Sequence, residues 1–141
     1  KNIKIKGAEA DDIIAITTKY LSNKNYNSIV VTSDTDFLQL INDNTRFVDL
    51  KLKELQFKYS PENDLKIKII KGDKSDNIPP IKARMGEKTA LKYLQNNNLL
   101  KDLLKDKIVK TQYELNQKLI DFNYIPKDLE SKILSKIGTW F

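Results

Sequence analysis

The chain has 141 residues, no cysteine, no histidine and a formal net charge of +6 at pH 7. This length suits a domain of ordinary size. The missing residue types exclude disulfides, zinc fingers and Cys or His catalysis, so any metal must have oxygen ligands, as Mg²⁺ and Mn²⁺ prefer. The excess of lysine favours a polyanionic partner such as nucleic acid, although a lysine-rich coding bias would produce it too. No apolar run is long enough to span a membrane, which predicts a cytoplasmic protein with no membrane partner.

The first predicted helix begins shortly after Gly7. Its apolar face is defined by residues at helical spacing, namely Ile13, Ile16, Thr17 and Tyr20. Glu9, Asp11 and Asp12 lie at its amino-terminal end, where the helix dipole favours anions. Helix capping accounts for one or two of these acids but poorly for all three.

A short β-branched run, Ser28–Thr32, predicts a buried strand of a parallel sheet. Asp34 and Asp36 follow on the loop past its carboxyl end, which is the edge where open α/β sheets bind ligands. Two neighbouring carboxylates repel each other unless a cation or a shared proton relieves them. The alternative is a solvated turn, because Ser, Asp and Thr are ordinary turn residues.

The next segments complete an α/β layer. Phe37–Ile41 predicts a short helix, Thr45–Leu50 a second strand, and Leu55–Tyr59 a hairpin partner for that strand. Pro61 is well placed to open a helix that ends at Gly72. The order helix, strand, short helix, strand is typical of an α/β fold.

The loop Gly72–Pro80 carries Asp73 and Asp76, and its two prolines prevent the helix from restarting. A further helix is predicted over Gly86–Leu94, with Lys88 in its first turn. The free N–H groups of such a helix end bind phosphate. The alternative is an ordinary lysine-bearing surface helix.

The remaining residues predict amphipathic helices. Their apolar stripes, which we expect to face the core, are Leu99, Leu100, Leu103 and Leu104; Leu115, Leu119 and Phe122; and Leu129, Ile133 and Ile137. Asn96–Asn98 predicts a loop.

The acids therefore fall into three groups at the ends of regular elements. Oxygen-rich clusters of this kind hold two Mg²⁺ ions and hydrolyse phosphodiesters without histidine. Around these acids the sequence resembles, in order, four signatures of the 5′-to-3′ exonuclease and flap endonuclease family: Glu9–Asp12, Ser33–Asp36, Gly72–Pro79 and Gly86–Ala90. The resemblance continues through Leu119–Pro126 and is strongest to the ribonuclease H branch from T-even bacteriophages.

This resemblance implies a PIN-like α/β fold. Residues 1–71 would form the carboxyl-terminal part of a nuclease domain, with part of a central parallel sheet and flanking helices, and residues 72–141 a helix-three-turn-helix and helical DNA-binding region. The implied enzyme is a two-metal hydrolase that uses Mg²⁺ or Mn²⁺, with K⁺ at the helix-three-turn-helix. It would remove RNA primers and 5′ flaps from RNA–DNA hybrids and duplex DNA during replication, with a single-stranded-DNA-binding protein or sliding clamp as partner. A phage-encoded enzyme would act in the infected bacterial cell.

Carried over residue by residue, the implied metal ligands are Glu9, Asp11, Asp12, Asp34, Asp36, Asp73 and Asp76, with Asp11, Asp34 and Asp36 catalytic. The residues implied to face the duplex backbone are Arg84, Gly86, Lys88 and Thr89. Pro80 and Ala83 stand where bacterial members have glycine, and Arg84 resembles a one-residue insertion.

The chain opens at Lys1 without Met, and Ile3 and Ile5 alternate with lysines as in an edge strand or a linker. Family members carry two further acids and a basic helical arch upstream of these motifs. We therefore expect the carboxyl-terminal part of a nuclease that is nearly inactive alone. Two alternatives stay open: a PIN-type ribonuclease, which lacks the Gly86–Ala90 helix and the long tail, and a non-catalytic duplex-DNA-binding module.

Overall fold

The computed structural model describes all residues, 1–141. Its elements confirm the predicted α/β fold with a helical carboxyl-terminal region. They are α1 Ala10–Asn23, β1 Ser28–Val31, a 3-10 helix Thr35–Leu40, β2 Thr45–Val48, α2 Pro61–Lys71, α3 Glu87–Gln95, α4 Asn97–Leu103, α5 Lys107–Ile120, a 3-10 helix Phe122–Tyr124 and α6 Lys127–Ile137. None of the helices combines the length and the apolar character that crossing a bilayer requires.

The chain folds as two compact units. The sheet unit comprises Lys1–Phe57 and Ile125–Phe141, and the helical unit comprises Lys58–Tyr124. These limits differ from the predicted boundary after residue 71. That boundary separated a nuclease domain from a DNA-binding region by function rather than by compactness, and it stays a prediction.

The sheet of the sheet unit consists of β1 and β2, which pair in parallel with Ser28 opposite Thr45 and Val31 opposite Val48. The ring of Phe37, from the 3-10 helix after β1, stacks on Phe47 of β2 at 6.1 Å between centroids. The chain thus returns from β1 over the sheet, as the helix–strand order predicted.

The prediction that β1 is buried is wrong. Ile29 is 63% exposed and Val31 is 52% exposed, while their neighbours Ser28 and Val30 are half-buried. Burial alternates along β1, as expected of a strand that is covered on one face only. A continuous β-branched run does not distinguish this arrangement from burial on both faces.

The predicted hairpin strand over Leu55–Tyr59 is also wrong. Only an isolated antiparallel bridge joins Glu54 to Val48, and Leu55 N donates to Phe47 O at 2.9 Å. The segment lines the outer edge of β2 for two residues and then leaves it, because Ser60 and Pro61 begin α2 soon afterwards.

The core of the sheet unit lies between α1 and α6. Ile16 of α1 packs with Leu129, Ile133 and Ile137 of α6, all buried as predicted. The half-buried Ile3 and Ile5 pack on this cluster without forming a strand.

The helical unit is built on α2, whose Ile67 and Ile70 pack against Ala90 of α3 and Val109 of α5. The stripe predicted over Leu99–Leu104 contributes Leu100, Leu103 and Leu104 to this core. The loop predicted at Asn96–Asn98 is wrong, because α4 begins at Asn97. Asn96 is its N-cap and accepts a hydrogen bond from Leu99 N at 3.4 Å, the usual role of Asn at a helix start.

The predicted core stripe of α5 is wrong as well. Leu115 is 48% exposed and Leu119 is 60% exposed. The buried face of α5 instead comprises Val109, Asn116 and Ile120. An asparagine inside this face hides the pattern from a search that counts apolar residues.

Candidate functional site

The loop after β1 presents two carboxylates in a geometry set by their own hydrogen bonds. Asp34 is the N-cap of the following 3-10 helix, and its Oδ1 accepts from Asp36 N at 2.9 Å. Asp34 N in turn donates to Thr32 Oγ1 at 3.1 Å. Asp34 and Asp36 therefore do form a hydrogen-bonded turn, as the alternative interpretation held. The turn lies at the carboxyl end of the parallel strand β1.

The start of α1 contributes three more carboxylates to the sheet unit. Glu9 is the N-cap, and its backbone N–H donates to Asp12 Oδ2 at 3.0 Å. This reciprocal arrangement is a capping box. Glu9 and Asp12 therefore have a structural role in helix capping, whereas Asp11 lies half-buried between them in sequence without a place in the box.

The electrostatics of Asp11 show that these five carboxylates form one cluster. Burial raises the pKa of Asp11 above its ordinary value, and Asp34 and then Glu9 raise it further by repulsion. Asp36 and Asp12 add smaller effects of the same sign. The acids predicted as ligands in this unit are therefore near enough to interact electrostatically, namely Glu9, Asp11, Asp12, Asp34 and Asp36. Their role as ligands stays a prediction.

The donor set of this cluster fits a hard divalent cation. It consists of carboxylate oxygens, which Mg²⁺ and Mn²⁺ prefer over nitrogen and sulfur. The repulsion that raises the pKa of Asp11 is also what a bound cation would relieve.

The acidic loop of the helical unit holds Asp73 and Asp76 in different surroundings. Asp73 is largely buried and pairs with Lys68 of α2, with 2.5 Å between Nζ and Oδ2. Its Oδ1 accepts from the backbone N–H of Ser75 at 2.9 Å and from the Ser75 hydroxyl. Although burial alone raises the pKa of Asp73, the bonds from Lys68 and Ser75 lower it to about 2. Asp76 is exposed.

Lys68, the partner of Asp73, was not predicted from the sequence. It lies five positions before Asp73, in the last turn of α2. The pairing depends on how the chain turns after Gly72, and a lysine in a helix that also carries Lys66 and Lys71 gives no signal of its own.

A basic cleft of about 720 Å³ opens beside this loop within the helical unit. Its lining residues are Lys71, Lys74, Asn77, Ile78, Pro79, Pro80, Arg84, Met85 and Gly86. Lys71 and Lys74 were not predicted. Arg84, which resembled an insertion, adopts the left-handed conformation with a φ of 60°, so it occupies a backbone position that usually favours glycine.

The predicted phosphate-binding residues surround the start of α3. Gly86 is its N-cap and lines the cleft, and the exposed Lys88 and half-buried Thr89 follow in the first turn. The acid of that turn, Glu87, is paired with Lys58 and accepts from the Tyr59 hydroxyl at 3.0 Å. The hydrogen bond from Lys58 is the main reason that the pKa of Glu87 is lowered. This pairing offsets the one negative charge beside the free N–H groups of the helix.

Comparison with known families gives a match to the 5′-3′ exonuclease family. The model of its N-terminal resolvase-like domain matches residues 1–73. This segment contains the whole carboxylate cluster of the sheet unit and extends to Asp73.

Two curated relatives share about a third of their aligned residues with the chain. Ribonuclease H of Enterobacteria phage T4 is 33% identical over 149 aligned positions, which cover 94% of this chain and 49% of the relative. A 5′-3′ exonuclease of Buchnera aphidicola is 33% identical over 111 positions, which cover 73% of this chain and 38% of the relative. The chain therefore spans half or less of the length of these relatives.

The fold is also found in a solved structure of the phage T5 flap endonuclease in a pseudo-enzyme–product complex with DNA and metal ions. The superposition has a TM-score of 0.74 at 18% identity and covers 97% of this chain and 61% of that chain. This likeness establishes the fold and its helical carboxyl-terminal region.

Proposed function

Because the chain belongs to the 5′-3′ exonuclease family, we propose that it is part of a metal-dependent nuclease that hydrolyses phosphodiester bonds in nucleic acid. The observation that carries this proposal is the cluster of carboxylates around Asp11. Burial and then the repulsion of four neighbouring carboxylates raise the pKa of Asp11, and a bound cation would relieve that repulsion.

We assign the metal to the carboxylates of Asp11, Asp34 and Asp36, with Glu9 and Asp12 beside them as further ligands. Asp73 and Asp76, in the helical unit, stay ligands that the family resemblance implies. These carboxylates would hold Mg²⁺ or Mn²⁺, proposed as two ions, which would supply Lewis-acid chemistry and a bound water of lowered pKa. The hydrogen bond from Asp36 N to Asp34 holds one carboxylate in a fixed orientation, and the capping box does the same for Asp12.

The basic cleft and the start of α3 are proposed to bind the phosphate backbone of the substrate. Arg84, Lys71 and Lys74 line the cleft, and Lys88 stands in the first turn of the adjoining helix. Cations and free N–H groups contact phosphates without reading bases. The expected affinity is therefore independent of base sequence and dependent on salt. A K⁺ ion near these residues is part of the same proposal.

The proposed substrates are RNA in RNA–DNA hybrids and 5′ flaps of duplex DNA. The names of the relatives, a ribonuclease H, a 5′-3′ exonuclease and a flap endonuclease bound to DNA, support this choice. Such substrates arise in replication, where a single-stranded-DNA-binding protein or sliding clamp is a proposed partner. They would place the protein in the bacterial cytoplasm.

The test is a cleavage assay with labelled 5′-flap DNA, RNA–DNA hybrid and single-stranded RNA, with Mg²⁺, Mn²⁺ or a chelator. The 141-residue chain is compared with the full reading frame that contains it, because the relatives are at least twice as long. We expect metal-dependent cleavage of flap and hybrid by the full frame, little by the 141 residues alone, and none after Asp34→Ala. Cleavage of single-stranded RNA alone would indicate a PIN-type ribonuclease, and duplex binding without cleavage by any form would indicate a binding module.

A further inference from the structure

Asn116 is a fully buried polar side chain on the packed face of α5. Its exposed fraction is 0%, and it lies between Val109 and Ile120 on that face. A buried amide destabilises a fold unless its hydrogen bonds are made. Both ends of this amide are satisfied, since Oδ1 accepts from Gln112 Nε2 at 2.8 Å and Nδ2 donates to two backbone carbonyls.

The two carbonyls lie on either side of the acidic loop. Nδ2 of Asn116 is 2.9 Å from Ile69 O, in the last turn of α2, and 2.8 Å from Pro79 O, just after the loop. Carbonyls in the last turn of a helix have no partner within the helix. One –NH₂ group therefore holds the chain where it enters the loop and where it leaves.

The loop between these two points is closed by its own backbone. Asp73 N donates to Ile78 O at 2.9 Å, and Ile78 N donates to Asp73 O at 2.7 Å. Ile81 N donates to Ile70 O at 3.0 Å. These bonds give the loop its shape, and the amide of Asn116 fixes that shape to α5, an element remote from the loop in sequence.

We propose that Asn116 is a positioning residue that sets the placement of Asp73 and Asp76 and of the Pro79–Pro80 edge of the basic cleft. The part concerning metal ligands rests on the proposed function. An amide suits the position, because a carboxylate has no donor and an aliphatic side chain would leave the buried carbonyl of Ile69 and the part-buried carbonyl of Pro79 without this partner. Gln112 orients the amide so that its NH₂ group faces both carbonyls.

The test compares Asn116→Leu with Val109→Ala, a truncation on the same buried face of α5 that touches neither carbonyl. Amide hydrogen exchange is followed by mass spectrometry on the full chain, and Mn²⁺ alone is titrated as the probe. We expect Asn116→Leu to accelerate exchange over residues 72–81 by about ten-fold more than Val109→Ala does. The Mn²⁺ midpoint should rise by roughly ten-fold in the first variant and stay within about two-fold in the second, as for residues that orient metal ligands.

Equal loop exchange in the two variants would overturn the anchoring role, and an unchanged Mn²⁺ midpoint with a loosened loop would overturn the positioning role. If the wild-type chain binds no Mn²⁺, the proposed function fails, while the exchange result still decides on the anchor. Should Asn116→Leu not fold, NMR of the wild type decides instead. The Asn116 side-chain NH₂ protons should exchange as slowly as the buried amides of α5, and fast exchange would refute the clamp.

Discussion

At the scale of one residue, the ionised carboxylate of Asp11 lowers the stability of the folded chain. Its pKa is raised by burial and then by Asp34, Glu9, Asp36 and Asp12. A raised carboxyl pKa means that the folded state binds a proton more tightly than the unfolded state does. Stability therefore falls as the pH rises through the raised pKa, and the ionised group destabilises the fold at neutral pH.

We predict that Asp11→Asn stabilises the chain at pH 7 while it weakens metal binding. Tm should rise, by about 3–4 °C for each kcal/mol gained at this length. The difference from wild type should close as the pH falls toward the ordinary carboxyl pKa. Calorimetry between pH 4 and 7 measures it, with the exposed Asp43→Asn as control. A loss of stability at pH 7 would contradict the electrostatic account of the cluster.

Asp73 has the opposite linkage. Its pKa of about 2, against an ordinary 3.8, gives stability that is present above pH 4 and is lost as the pH falls toward 2. This difference corresponds to about 2 kcal/mol, which is what the bonds from Lys68 and Ser75 contribute beyond the cost of burial. We predict that Lys68→Met lowers the free energy of unfolding by about 1–2 kcal/mol at pH 7 and by progressively less below pH 4.

Urea unfolding from pH 2 to 7 tests this prediction. The matched control is Lys66→Met on the same helix, where the pair with Glu62 is exposed and should contribute less than the Lys68–Asp73 pair. An equal loss in the free energy of unfolding for the two substitutions at pH 7 would show that the Lys68–Asp73 pair stabilises the fold no more than the exposed pair does.

At the scale of elements, the acidic loop depends on one glycine. Gly72 has a φ of 73°, and a Cβ there would overlap the carbonyl oxygen of Ile78 and the carbonyl carbon of Pro79. We predict that Gly72→Ala destabilises the chain by about 2–4 kcal/mol through strain and overlap. Gly86→Ala is the control, since its Cβ meets nothing and its φ is −85°, and it should change stability by less than about 1 kcal/mol. Chemical denaturation compares the two, and similar losses would contradict the described loop geometry.

The helix α3 carries the prediction for nucleic-acid binding. Lys88→Ala, in its first turn, should weaken binding to all duplexes alike and reduce the salt slope by about 0.9 per lost phosphate contact. Lys92→Ala, in the last turn of the same helix, should leave the slope unchanged. Fluorescence anisotropy over a range of salt concentrations measures both. A change in base preference after Lys88→Ala would contradict backbone binding.

The elements were largely predictable from sequence because their signals are local. Helical spacing located α1, α3 and α6, and Pro61 and Gly72 marked the ends of α2. The failures have tertiary causes. Leu115 and Leu119 are apolar yet exposed. The buried face of α5 contains Asn116 instead, whose amide donates to the backbone carbonyls of Ile69 and Pro79. A search for apolar residues at helical spacing does not find this face, because one of its buried residues is an asparagine.

At the scale of the whole molecule, the two units each contain one part of the predicted chemistry. The acids of the sheet unit were predicted to meet because each follows or opens a regular element, and in the structure four of them are near enough to raise the pKa of Asp11. Lys68, Lys71 and Lys74 were missed, since the turn after Gly72 decides which residues of the loop come to lie beside them. The net charge of +6 suggested a nucleic-acid partner but not which lysines would contact it.

The central claim is that the carboxylates of Asp11, Asp34 and Asp36 form a divalent-metal site of a nuclease. The most direct test is a crystal of the chain soaked in millimolar Mn²⁺, with anomalous diffraction measured near the manganese edge. The account predicts an anomalous peak within coordination distance of a carboxylate oxygen of Asp34 or Asp36, and its loss in Asp34→Asn. The absence of a peak near either side chain at millimolar Mn²⁺ would contradict the account.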